Sequence, residues 1–105
     1  MTNKDVFYAA INHYGANQQI DVAIEEMAEL TQALIKTNRY ATCKDYKRLR
    51  DNVIEEIADV EIMLAQLRII YAISEKEIND RKAEKIKRLK KRIWTEGKNE
   101  KTDNT

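Results

Sequence analysis

Apolar residues recur along this chain at steps of three and four, the spacing that lines one face of an α-helix. Val6, Phe7, Ala10, Ile11 and Tyr14 define a first helix over about residues 3–14, with Gly15 as its C-terminal stop. Ile20, Ala23, Ile24, Met27, Leu30, Thr31 and Leu34 predict a second over about 18–37, with this stripe facing the core. The stretch from Asn38 to Lys44 has no period and reads as the main connection. A third helix, about 45–72, carries Leu49, Val53, Ile57, Val60, Leu64, Leu67 and Tyr71. Its apolar face widens after Val60, which predicts burial on more than one side. Ser74-x-x-Glu77 forms a capping box that opens a fourth helix with a narrow stripe of Ile78, Ile86, Leu89 and Ile93. That helix is expected to reach about Trp94 and to end at Gly97. The expectation is an all-α fold: a single domain over residues 1–96, built as a four-helix protomer, and a disordered polar tail over 97–105.

Composition agrees with long helices and few loops. Among 105 residues there is no proline and only two glycines, so turn formers are scarce. Charged residues make up 35%, above the usual ~25%, as helices with one solvated face require. No stretch approaches the roughly 18 apolar residues that span a bilayer, and MTNKDVFYAAINHYG lacks the apolar run of a signal peptide. The lone Cys43 permits no internal disulfide and has no catalytic partner nearby. A cytoplasmic protein without a membrane partner is expected.

Charge is segregated along the chain. No Lys or Arg lies between Lys4 and Lys36, where Asp5, Asp21, Glu25, Glu26 and Glu29 fall. None lies between Arg50 and Arg68, against Asp51, Glu55, Glu56, Asp59 and Glu61. Arg81 to Arg92 then carries eight basic residues and one acid, Glu84. Two carboxylate motifs stand out in the acidic stretches: Glu25-Glu26-x-x-Glu29 and Glu55-Glu56-x-x-Asp59, framed alike in IEEMAEL and IEEIADV. Residues three or four apart share a helix face, and like charges there are unfavourable by about 0.2–0.5 kcal/mol per pair. No lysine sits within a turn to offset this, so both motifs point to a cation from outside. Hard divalent cations such as Mg²⁺ or Mn²⁺ take oxygen ligands. Two antiparallel helices, each with a carboxylate pair, could hold two such ions for attack of water on a phosphoryl group. A solvated acidic face is the bland alternative; two like-framed matches in one short chain weigh against it.

The order Glu26-x-x-Glu29, a gap of 26 residues, then Glu56-x-x-Asp59 resembles the MazG-like branch of the all-α NTP pyrophosphatases, whose signature is ExxE followed by ExxD. The likeness covers about residues 19–88. It implies an α-helical bundle completed by oligomerisation, as homodimer or homotetramer. The implied reaction is Mg²⁺-dependent cleavage of an NTP or dNTP to the monophosphate and pyrophosphate, for nucleotide pool control or house-cleaning, with Mn²⁺ as a substitute. By the same resemblance Glu26, Glu29, Glu56 and Asp59 would be metal ligands. Glu25 is then the first choice to orient or deprotonate water and Glu55 the second, since each lies beside a ligand.

The remaining candidates carry less. Lys82, Lys85 and Arg88 follow one side of the fourth helix and read equally as contacts to substrate phosphates or as a solvated face pairing with acids of other helices; Lys90, Lys91 and Arg92 read as a solvated face. Tyr8, Gln19 and Asn79 are candidate base contacts; Phe7 and Tyr14 read as core, and Trp94 as packing across a subunit interface. His13, the one histidine, reads as a helix-end surface residue, and the lack of a Glu-x-x-His arrangement disfavours a di-iron bundle. The competing function is a non-enzymatic helical module binding nucleic acid through Arg81 to Arg92. It leaves both acidic clusters unexplained, and these would repel a phosphate backbone, so a nucleic-acid partner is disfavoured. A coiled-coil assembly protein would need long heptads with flanking charges, which are lacking.

Overall fold

A computed structural model of the chain describes residues 1–40 and 44–103, with side chains described to residue 97. Four helices follow one another: α1 (Asn3–Tyr14), α2 (Ala16–Arg39), α3 (Tyr46–Ile70) and α4 (Glu75–Asp103). No strand occurs among the described residues, and no helix among them is long and apolar enough to cross a membrane. Cys43 lies outside the described residues. The chain divides into two compact units, Met1–Ala72 and Ile73–Thr105.

Local chemistry sets the helix ends. Thr2 caps α1 through a box that periodicity alone does not reveal: its hydroxyl accepts from Asp5 N–H at 3.1 Å, and its own N–H donates to the Asp5 carboxylate at 2.9 Å. Those bonds hold Asp5 below its ordinary pKa. Ser74 and Glu77 form the expected box before α4, at 2.8 and 3.1 Å. Gly15 ends α1 at φ 91°, donating to the Ile11 carbonyl, and α2 begins at the next residue. Only glycine adopts that φ without strain. Gly97 does not end α4, which runs on through it to Asp103, because a helix-interior glycine costs about 1 kcal/mol without forcing a stop.

In the first unit α2 and α3 pair antiparallel, and α1 lies against both. The register is marked at two levels. At one end Gln19 donates its amide to Gln66 at 2.7 Å, with both side chains buried. At the other, the Thr37 hydroxyl reaches the Leu49 carbonyl at 3.4 Å. Between these the seam steps by four and three through Gln19, Ala23, Glu26, Leu30, Ala33 and Thr37, and back through Leu49, Val53, Glu56, Val60, Met63 and Leu67. All are buried or half-buried.

This corrects the expected face of α2 in part, since Ala23 and Leu30 of the apolar stripe do line the seam. Ile24, Met27 and Leu34 stay exposed. Ala23 and Ala33, at 1% and 3% exposure, are what α3 covers. Alanine lets two helices approach closely, and α3 covers only one side of α2, with the short α1 adding little. Ile57 and Leu64 of α3, and Tyr71 just past its end, are exposed as well. On α1, Phe7, Ala10 and Ile11 are half-buried while Val6 and Tyr14 remain outside.

The two glycines should respond to alanine with opposite signs. Gly15→Ala forces a left-handed φ on a residue with a side chain and should cost about 1–3 kcal/mol. Gly97→Ala meets nothing within 4 Å and should add about 0.5–1 kcal/mol of helix stability. Urea unfolding followed by circular dichroism measures both.

Candidate metal centre

The register of the α2–α3 seam brings the two carboxylate motifs together. Two helical turns along α2 from Gln19 is Glu26, and two turns back along α3 from Gln66 is Asp59. One turn further in each direction places Glu29 opposite Glu56. One carboxylate oxygen from each of Glu26, Glu29 and Glu56 lies within 4.8 Å of the other two. Asp59 is not among these three, yet its charge acts on both Glu26 and Glu56.

Within each doublet the side chains part. Glu26 and Glu56 turn into the seam and are half-buried; Glu25 and Glu55 are exposed, as are Glu29 and Asp59. The Oε2 atoms of Glu26 and Glu56 are buried without a hydrogen-bond partner. The ion pairs among the described residues, Arg48–Asp45 and Lys76–Asp80, involve none of these acids.

Electrostatics follows. Loss of hydration first, then the charges of Glu29, Asp59 and Glu56, push Glu26 above its ordinary pKa. Glu56 is raised in the same way by desolvation, Glu29, Asp59 and Glu55. Converging carboxylates with two donorless oxygens have two ways out: a proton shared with Glu29, or a hard cation taking oxygen ligands. The donor set fits Mg²⁺ or Mn²⁺, since it is all carboxylate with no imidazole or thiolate.

The other candidates fall elsewhere. Gln19 is buried and spends its amide on Gln66. Gln66 also donates to the Met63 sulfur at 3.7 Å, which makes it a core residue that the apolar pattern of α3 passes over. Tyr8 is exposed on α1. Lys82, Lys85, Arg88 and Asn79 are exposed on α4, in the second unit. His13 is exposed in the last turn of α1, with its ring edge-on to Tyr14 at 4.6 Å between centroids. No family model, curated protein or solved structure matches the chain.

The raised carboxyls give a signed test. A group whose folded pKa exceeds its unfolded value adds stability below the unfolded value, and this is lost as pH rises through the folded one. Without divalent cations, Glu26 and Glu56 should therefore weaken the fold as pH climbs from the carboxylate range (roughly 4) to neutrality. Glu56→Gln should raise the melting temperature at pH 7 in chelator, and the gain should vanish at acid pH. An unchanged or lower melting temperature at pH 7 would show that the seam does not hold these charges against a penalty.

Proposed function

We propose that this chain is a divalent-metal-dependent nucleoside triphosphate pyrophosphohydrolase of the MazG-like kind, acting on NTPs or dNTPs. The observation that carries the reading is the meeting of Glu26, Glu29 and Glu56 across one seam, with two buried oxygens that no donor satisfies. Glu26, Glu29 and Glu56 would hold Mg²⁺, or Mn²⁺ in its place, with Asp59 as the fourth carboxylate. A bound cation would supply charge neutralisation for phosphoryl oxygens and would favour ionisation of water at neutral pH. In the net reaction water adds to the α-phosphorus and the bond to the bridging oxygen of the β-phosphate breaks, giving monophosphate and pyrophosphate. Glu25 and Glu55 are exposed beside the inward carboxylates, so either can accept the proton of the attacking water, Glu25 first. Lys82, Lys85 and Arg88 would offset phosphate charge, and Tyr8 and Asn79 are candidates to meet the base.

Self-association belongs to the same reading. Ile24, Met27 and Leu34 leave an apolar stripe along α2, with Ile24 at 60% exposure, and stripes of this kind mark protein interfaces. A homodimer or homotetramer would cover it. Light scattering should give a multiple of 12.3 kDa, and Ile24→Glu should shift the species towards monomer.

Activity is tested by pyrophosphate release from a panel of NTPs and dNTPs with Mg²⁺ or Mn²⁺. Glu29→Gln and Asp59→Asn should each lower turnover by at least about 100-fold with helical content unchanged. No release with any nucleotide and either metal, together with no metal-dependent rise in melting temperature, would sink the enzymatic reading.

A further inference from the structure

A second charged feature shares the first unit with the carboxylates and has the opposite sign. Lys36, Arg39, Tyr40, Asp45, Arg48 and Leu49 line a pocket of about 400 Å³ where α2 ends and α3 begins. Its floor is the buried Leu49. Three cations face one carboxylate there. Arg48 pairs with Asp45 at 3.4 Å with both side chains well exposed, and Lys36 and Arg39 have no ion pair among the described residues. Lys36 and Arg39 also complement the C-terminal dipole of α2, but that role does not account for Arg48, which sits in the first turn of α3, where a cation is unfavourable.

Lys36 and Arg48 each share a helix side with an acid of the two motifs, Glu29 of the cluster and Glu55 beside it. Lys36 lies two turns after Glu29 on α2, and Arg48 lies two turns before Glu55 on α3, so each projects on the same side of its helix as that acid. The separation along the axis is about 10 Å. Side chains lean towards the N-terminus of their helix, so Lys36 leans in the direction of Glu29 while Arg48 leans away from Glu55, towards the end of the seam where the pocket opens.

We propose that Lys36, Arg39 and Arg48 form an oxyanion pocket that takes the terminal phosphates of the substrate while its reacting phosphate lies at the carboxylate cluster. The ligand rests on the pyrophosphohydrolase reading; the pocket itself is a site for a compact polyanion. Arg48 supplies a planar fork of donors and Lys36 a mobile point charge. Asp45 is the competitor, because an arriving phosphate must displace it from Arg48.

The probe is inorganic pyrophosphate, titrated calorimetrically into the full chain without divalent cations at about 0.1 M salt, where screening over ~10 Å limits repulsion by the acids. Arg48→Ala, Arg39→Ala and Lys36→Ala should each weaken binding about tenfold. Asp45→Asn should tighten it; Asp45 makes no side-chain cap to α3, so this variant keeps the fold. No pyrophosphate binding by the parent chain, or Arg48→Ala and Asp45→Asn both binding as the parent does, would overturn the pocket. Loss confined to Lys82→Ala and Lys85→Ala would overturn it too. Triphosphate hydrolysis with Mg²⁺, measured on the same variants, separates the two ideas. Hydrolysis with an unchanged KM in Arg48→Ala overturns the pocket and leaves the enzyme. Absent hydrolysis with the expected pyrophosphate responses leaves the pocket and removes the enzyme.

Discussion

Glu26 and Glu56 occupy positions in the α2–α3 seam where steps of three and four would otherwise place apolar side chains, and much of the first unit can be understood from that substitution. A carboxylate turned into a helix interface loses hydration, and Glu29 and Asp59 add like charge to the loss. Nothing in the seam compensates, since the buried Oε2 atoms have no donor. A purely structural seam would gain by replacing both residues with leucine. Such a cluster is relieved either by a proton shared with Glu29 or by a cation, and it is the second that makes the seam a candidate site.

Such a cluster forms only if the two helices meet in one register. A slip of one residue along α3 would turn Glu56 out of the seam and bring Ile57 in. The Gln19–Gln66 bond works against that slip: two buried amides satisfy each other in this alignment and would be left unpaired in its neighbours. Thr37 marks the opposite end against the Leu49 carbonyl. Ala23 and Ala33 lie between them, small enough for the helices to come close. The polar pair, the alanines and the acids therefore form one arrangement, in which the outer layers set the alignment that the middle layer needs.

The helices were legible because period and caps agreed: Gly15, Ser74 and Glu77 each do what their chemistry suggests. The carboxylates were legible because their spacing puts them on one face and because no lysine interrupts them. The face of α2 that pairs with α3 was legible only in part, through Ala23 and Leu30. Periodicity gives the direction of the largest apolar side chains, which is Ile24, Met27 and Leu34, but α3 selects the edge where alanine permits approach. The same limit hid Gln19 and Gln66, since polar residues on an apolar edge read as surface until a partner is seen. Thr2 is not legible as a cap because its partner at N3 is Asp5 rather than a longer acid, and the basic pocket is not because its cations lie on either side of a connection that has no period.

These limits bear on stability as much as on prediction. Among the described residues the fully buried apolar ones are few, Ala23, Ala33, Leu49 and Met63, and like charges lie in the main helix interface, so these contacts leave little margin. Ligands that bind only the folded state stabilise it by mass action, by about 2.7 kcal/mol at a hundred times their dissociation constant. A cation at Glu26, Glu29 and Glu56 would remove the repulsion, and a second copy over Ile24, Met27 and Leu34 would cover apolar surface that α3 leaves open. The two act on different sides of α2, one inside the seam and one outside it. Cation and second copy would each bind the folded form alone, so each would favour the other by favouring the fold, without any residue belonging to both.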